Sequence, residues 1–343
     1  MDERIRLVVL FGGRSAEHEV SCTTAVSVLQ ALDPARYDVV PVAITTDGRW
    51  LLAHSARVAI EGGPKALPSA FAVDGEVAPA VGALDVDVVL PLLHGPYGED
   101  GSVQGLLEWL DLPYVGSDVL ASAVCMDKLT LKRLFAEAGV PQVDFVAAGE
   151  PGWRERCEGM GLPLWVKPSR LGSSVGISRV DDLGELEGAI EQARQHDPRV
   201  IVESHAQGRE VECSLLGNEE VEVSQPGEVI AHGDWYDYET KYSAGGMDLV
   251  MPAPIEEGET TRVRELAARA FALGACSGLA RCDFFISADG TVLVNEVNTM
   301  PGFTETSVYA RLWEASGIAY PELCDRLVQL AVERHERSRL YEF

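Results

Sequence analysis

The chain has 343 residues, enough at roughly 100–200 residues per domain for two or three domains sharing a cleft. Its net charge of −26, from 28 basic and 54 acidic side chains, argues against nucleic acid and anionic membrane as partners; a bound nucleotide would need local lysines and divalent cations to reverse the sign. Seven cysteines without a C-x-x-C pair read as reduced thiols of a cytoplasmic protein, and no stretch has the apolar run of a signal peptide or of a ~20-residue membrane span.

In chain order, Ile5 to Phe11 is a continuous apolar run, as a buried parallel strand should be, and Gly12-Gly13 ends it. A helix is expected from Ala16 to Leu32, stopped by Asp33-Pro34, then a second strand from Asp87 to Leu93 and a helix from Ser102 to Leu110. This is a doubly wound, Rossmann-like pattern. A helix from Asp127 to Ala138 follows, with Gly139 and Pro141 as stop signals. Short strands are expected at Leu164–Lys167, Gly176–Val180, Val200–Glu203 and Glu210–Leu216, interrupted by a helix from Leu183 to His196. The last third reads as a long helix, Thr260 to Leu273, a hairpin and two C-terminal helices. The expected domains are residues 1–125, a small α+β unit at 126–213 and an α/β unit at 214–343.

The hairpin ARCDFFISADGTVLVNEVN carries the strongest chemistry. With Asp289-Gly290 as a two-residue turn, Asp283 faces Glu296 and Arg281 faces Asn298. Alternation puts these four side chains on one surface, and Cys282, Phe284, Ile286, Leu293 and Val297 on the opposite, core-facing one. Two carboxylates and an amide oxygen suit Mg²⁺, which prefers few carboxylates plus phosphate oxygens. The competing reading is a solvated outer face.

In LWVKPSRLGSSVGISRV, Gly172, Ser173, Ser174 and Gly176 form a loop whose amides can approach phosphate, with Lys167 on the strand leading in. The G-x-S-x-G inside it is not a nucleophile elbow, because a strand is expected to follow, and no Walker A motif occurs. Lys128 lies in the first turn of a helix, where a cation is disfavoured, and Lys241 lies in a tyrosine-rich loop that would serve as a lid. A solvated surface lysine and a packing loop are equally open for these two. His94 ends an apolar strand at a usual ligand position, or is a structural histidine. Glu17, alone, reads as a first-turn acid.

FGGRSAEHEVS, LHGPYGEDGSVQG, CMDKLTLKRLF, VKPSRLGSSVG, YDYETKY, ARCDFF and NEVNTMPGFTETS, in that order, resemble the ATP-grasp superfamily and, within it, the D-alanine–D-alanine ligases. The resemblance implies an α/β ATP-grasp fold: a Rossmann-like N-terminal domain, a small α+β central domain and a larger α/β C-terminal domain, with ATP between the last two. It implies two Mg²⁺ ions, replaceable by Mn²⁺, on Asp283, Glu296 and Asn298. It assigns phosphate to Lys128, Lys167 and Lys241 with Ser173 and Ser174, and adenine and ribose to Glu203, Ala206 and Glu210, with Ser204 where a lysine is frequent. Glu17, with Val20 and His94, would hold the first D-alanine; Glu17, Ser173 and Tyr242 would form a hydrogen-bonded triad; Arg281 and the Gly302 amide would form an oxyanion hole; Ser307 would position the second D-alanine. The implied enzyme is a cytoplasmic homodimer supplying peptidoglycan synthesis through a D-alanyl phosphate. A D-alanine–D-lactate ligase, another carboxylate–amine ligase and a nucleotide-binding oxidoreductase or sensor are the alternatives; Tyr242 favours an amine acceptor, and the absence of G-x-G-x-x-G disfavours a dinucleotide.

Overall fold

The structure is a computed structural model that describes residues 4–52, 85–231 and 247–341. Three sheets organise it. The first is built from β1 (Ile5–Gly12), β2 (Tyr37–Ile44), β3 (Trp50–Leu52) and β4 (Val88–Pro91), in the order β3-β2-β1-β4. β1 runs parallel to β2 and β4, and only β3 is antiparallel. Helix α1 (His18–Ala31) follows β1, starting two residues after the expected Ala16, and α2 (Ser102–Trp109) and α3 (Val119–Met126) follow β4. β2, β3 and α3 have no counterpart among the expected elements. β2 carries Pro41 mid-strand, opposite Val9, which reads in sequence as a strand breaker.

The second sheet belongs to a small unit. Helix α4 (Lys128–Glu137) leads into β5 (Phe145–Ala147), α5 (Trp153–Met160), β6 (Leu164–Pro168), β7 (Ser178–Val180), α6 (Leu186–Arg194) and β8 (Val200–Ser204). The order is β5-β8-β6-β7, antiparallel throughout. It has its own core, including Val146, Cys157, Leu164, Val166, Ile190 and Val202.

The third sheet holds β9 (Arg209–Gly217), β10 (Val221–Val223), β11 (Gly227–Ala231), β12 (Met247–Val250), β13 (Gly278–Ile286) and β14 (Val292–Asn298). Its order is β12-β11-β9-β13-β14, with β10 on β9. The expected division at 213/214 therefore falls inside β9. Helix α7 (Glu257–Leu273) begins ahead of the expected Thr260 because Glu256 and Glu259 form a reciprocal capping box. Helices α8 (Val308–Ala315) and α9 (Tyr320–Ser338) complete the chain. They do not stay with their own sheet: one buried cluster joins Leu7, Phe11, Val28 and Leu92 of the first unit to Phe303, Tyr309, Trp313, Leu323 and Leu327.

The β13–β14 hairpin corrects the expected turn. Arg281 does face Asn298, and Asp283 does face Glu296, but Phe284 faces Val294 and Ile286 faces Val292. Ser287 donates its amide to the Thr291 carbonyl at 3.0 Å, so the turn spans three residues rather than two. Asn295 is then the extra residue of a bulge, which restores the outer register. Its second effect is on the core face. Val292 and Val294, not Leu293, pack there with Cys282, Phe284, Ile286 and Val297.

Candidate active site

Each site residue is held by a short structural device. Gly12 adopts φ +88°, and a Cβ there would lie 2.3 Å from the Ile44 carbonyl, so only glycine closes the turn after β1. The Gly12 amide donates to Ser21 Oγ at 2.8 Å, and Ser21 Oγ donates to the Leu92 carbonyl. That bond fixes α1 against the ends of β1 and β4, which bear Glu17 and His94. Glu17 is the N-cap residue of α1, and its carboxylate accepts from Ser173 Oγ of the second unit. The expected Glu17–Ser173 contact is therefore present; Lys241 and Tyr242 lie outside the described residues.

His94 is 4 % exposed. Its Nδ1 lies 3.1 Å from the Met300 carbonyl, which can only accept, so Nδ1 carries the proton. Nε2 is left with its lone pair, and among the described residues no hydrogen-bond partner reaches it. Burial, outweighing nearby Glu17, pushes the imidazole pKa below its usual value and keeps the ring neutral. Glu99, which the sequence reading did not single out, accepts from the Gly95 amide at 2.8 Å. Burial first, and Glu17 second, raise its carboxyl to about 8.

The loop after β6 is strained where it meets the cleft. Ser173 and Ser174 have φ +52° and +59°, and Gly176 has φ +72°. Consecutive left-handed residues other than glycine are uncommon and turn successive amides to one side, as anion-binding loops do. The base of the loop is bonded to the start of α4. The Lys128 amide donates to the Ser169 carbonyl at 2.9 Å, and Ser169 Oγ donates to Asp127 Oδ1 at 2.8 Å. Lys128 Nζ donates to the Leu171 carbonyl at 3.0 Å and lies 3.2 Å from Glu296. Burial works against its charge, but Glu296 and other carboxylates raise its pKa on balance.

On the facing sheet Arg281 is bidentate to Asp283, at 2.7 and 2.8 Å, and its Nε is 2.9 Å from Glu212. Asn298 Nδ2 donates to Asp283 Oδ2 at 3.0 Å. Burial opposes the guanidinium charge, yet Asp283 and Glu212 hold its pKa well above the usual value. Glu212 was also missed, although Glu210, Glu212 and Ser214 alternate along β9 and carry the same face across from Asp283. Glu203 of β8 is clamped between Lys132, at 3.2 Å, and Lys167, at 2.6 Å. Burial would raise its carboxyl, but Lys132 and Lys167 hold it down at about 2.

These groups line two cavities. The larger, about 770 Å³, is walled by Glu17, Val20, His94, Glu99, Arg281, Asn298, Gly302 and Ser307. The smaller, about 340 Å³, is walled by Trp165, Lys167, Ser174, Glu203, Ala206, Glu210 and Asp283. Lys128, Gly172, Ser173 and Glu296 belong to both walls, so the cavities meet there. Ser307 starts α8 without a side-chain cap; its Oγ instead accepts from the Thr304 amide at 3.0 Å, leaving the helix start facing the larger cavity. Asp283, Glu296 and Asn298, two carboxylates and an amide at adjacent register positions, are an all-oxygen donor set that fits a hard divalent cation. Among the described residues no cluster of three His, Cys, Asp or Glu side chains is assembled for a metal.

Comparison with known proteins matches residues 6–117 to the family model of the D-ala D-ala ligase N-terminus and residues 134–329 to that of the C-terminus. The chain belongs to the D-alanine–D-alanine ligase family. Family members named D-alanine–D-alanine ligase include one from Geobacillus kaustophilus, 42 % identical with 98 % of this chain and 97 % of that protein covered, and one from Nocardia farcinica, 47 % identical with 97 % and 99 % covered. The family fold is ATP-grasp. The solved D-alanine–D-alanine ligase of Coxiella burnetii superposes with a TM-score of 0.88 at 36 % identity, covering 98 % of this chain and 97 % of that one. The VanG D-Ala:D-Ser ligase of Enterococcus faecalis superposes with 0.85 at 33 % identity, covering 96 % and 100 %.

Proposed function

We propose that this protein joins two D-alanines at the expense of ATP, through a D-alanyl phosphate, to supply a peptidoglycan precursor in the cytoplasm. The observation that carries the reading is the meeting of the two cavities at Lys128, the Gly172–Ser173 amides and Glu296. A nucleotide in the smaller cavity brings its terminal phosphate to that junction, where a carboxylate held in the larger cavity can attack in line. Family membership and 42–47 % identity to proteins named D-alanine–D-alanine ligase support the same activity.

In this mechanism Lys128, Lys167 and the left-handed loop amides hold the phosphates, with Lys241 as a further expected lysine. Glu203, Ala206 and Glu210 line the base and sugar end. Asp283, Glu296 and Asn298 would hold two Mg²⁺ ions, whose chemistry is to neutralise charge on the phosphate oxygens. Glu17, oriented by Ser173, takes the ammonium of the first D-alanine, and Val20 and His94 bound its pocket. The uncapped start of α8 at Ser307 favours the carboxylate of the second D-alanine. Its amine, having lost a proton, attacks the acyl-phosphate carbon; the amide C–N bond forms, and the C–O bond to phosphate breaks as inorganic phosphate leaves. Arg281 and the Gly302 amide stabilise the oxyanion, which preorganised donors do best in a site closed to water. Tyr242, the third member of the expected triad, would close the lid over this step. A homodimer is the expected assembly.

The direct test is phosphate release from ATP and Mg²⁺ with D-alanine, using L-alanine as control. Release with D-alanine alone, together with D-alanyl-D-alanine by mass spectrometry, is expected; no release with either would defeat the reading. Competition among D-alanine, D-serine and D-lactate as second substrate, run across pH, tests the acceptor. Predominant depsipeptide at neutral pH would overturn the choice of an amine.

A further inference from the structure

Lysine is the residue least suited to complete burial, because its ammonium loses hydration that little inside a protein replaces. Lys132 is nevertheless 2 % exposed. It stands one helical turn after Lys128 on α4, on the same helix face. Its Nζ lies 3.2 Å from Glu203 Oε1. The other Glu203 oxygen is 2.6 Å from Lys167 Nζ. Lys167 and Glu203 line the smaller cavity, whereas Lys132 lies behind them.

The charges explain the arrangement. Lys167 and Glu203 alone make a neutral pair, and a neutral pair attracts no polyanion. With Lys132 the trio carries one net positive charge, and the least buried member of the trio is Lys167. We propose that Lys132 is a positioning residue for the nucleotide: it occupies the Glu203 carboxylate from behind, so that the Lys167 charge is presented to phosphate instead of being cancelled. Burial pulls the Lys132 pKa below its usual value while Glu203 supports it, so its charge depends on that carboxylate. Without Glu203 there is no carboxylate for Lys132 to occupy, so its removal should then matter little.

This inference rests on the smaller cavity being the nucleotide site, and one measurement separates the two. Mg²⁺-ADP is titrated calorimetrically into the full-length wild type, Lys132→Met, Glu203→Gln and the double variant, with thermal unfolding as a check on folding. Heat of binding is expected for the wild type; its absence defeats the cavity assignment itself. Lys132→Met is expected to weaken binding at least about tenfold, and the double variant to return to within about threefold of Glu203→Gln. In turnover, the Lys132→Met loss should fall on the KM for ATP and not on that for D-alanine. A folded Lys132→Met that binds within about twofold of wild type, or a double variant more than about fivefold weaker than Glu203→Gln, overturns the proposal. If Lys132→Met does not fold, Glu203→Gln and the double variant remain, and a gap between them beyond about fivefold overturns it.

Discussion

The first and second sheets meet the rest of the molecule in opposite ways. The first sheet shares one continuous apolar core with α8 and α9, so that Leu7, Phe11, Leu323 and Leu327 belong to a single cluster. The second sheet buries its apolar residues among themselves. Across the cleft to the first unit Ser173 reaches Glu17. At the sheet's junction with α4, whose Leu131 and Phe135 join the third sheet's core, Ser169 meets Asp127, Leu171 meets Lys128 and Glu203 meets Lys132, beside an apolar contact of Leu129 with Ala147 and Ile201. Apolar packing is non-directional and resists parting, whereas hydrogen bonds and ion pairs exchange readily with water. On the proposed function, the contrast accounts for a nucleotide site on the second boundary: a cleft that admits a nucleotide is served by contacts that can be remade.

The most forceful way to break this contrast is to cut into each core. Leu323→Ala, in the shared core, is expected to lower unfolding free energy by about 2–5 kcal/mol in urea, in one transition covering the first and third sheets. Leu164→Ala, equally buried but in the isolated core, should instead produce a separate, earlier transition of the second sheet. Identical shifts of a single transition would show that the units are not distinct.

Arg281 tests the wall opposite the second unit. Arg281→Ala is expected to reduce turnover by about 10²–10³ while nucleotide still binds, the loss usual for one preorganised oxyanion donor. Normal turnover in a folded variant would remove Arg281 from the chemistry. That position was legible in sequence, but partly by compensation. A turn one residue longer than expected and the bulge at Asn295 shift the register in opposite senses, so Asp283 still meets Glu296 while Leu293 loses its expected core place to Val292 and Val294. Parallel strand β1 was readable from its unbroken apolar run, and β2 was hidden by Pro41. Glu99 and Lys132 were not readable as site residues at all. An acid in a glycine-rich loop and a lysine on a helix look solvated until the tertiary fold buries them. Only Lys128 and Lys132 falling four apart on α4 hinted at a shared face.

Ser173→Ala sharpens the contrast at the cross-cleft contact itself. A hydrogen bond to a charged group contributes about 1.5–3 kcal/mol, so kcat/KM for D-alanine should fall by about ten- to a hundredfold. Thermal unfolding should barely move, because Ser173 supports no core. A large drop in unfolding temperature with unchanged kinetics would reverse the assignment and make the contact structural.

The smallest expected effect concerns Glu99, on the first unit's side of the cleft. Its carboxyl titrates near 8 in the folded protein against an ordinary 4.5, raised by burial and then by Glu17. A raised acid binds its proton more tightly folded than unfolded, so its contribution is fully present below about pH 4.5 and is lost as pH rises towards 8. Glu99→Gln keeps a neutral group of the same shape, so its stability relative to wild type should grow across that window. The gain should reach on the order of 1 kcal/mol near pH 8, discounted because the side chain is only partly buried. Urea unfolding without ligands at pH 5, 6, 7 and 8 measures it. A difference independent of pH would mean that Glu99 is ionised in the fold, and that the cleft tolerates two carboxylates side by side.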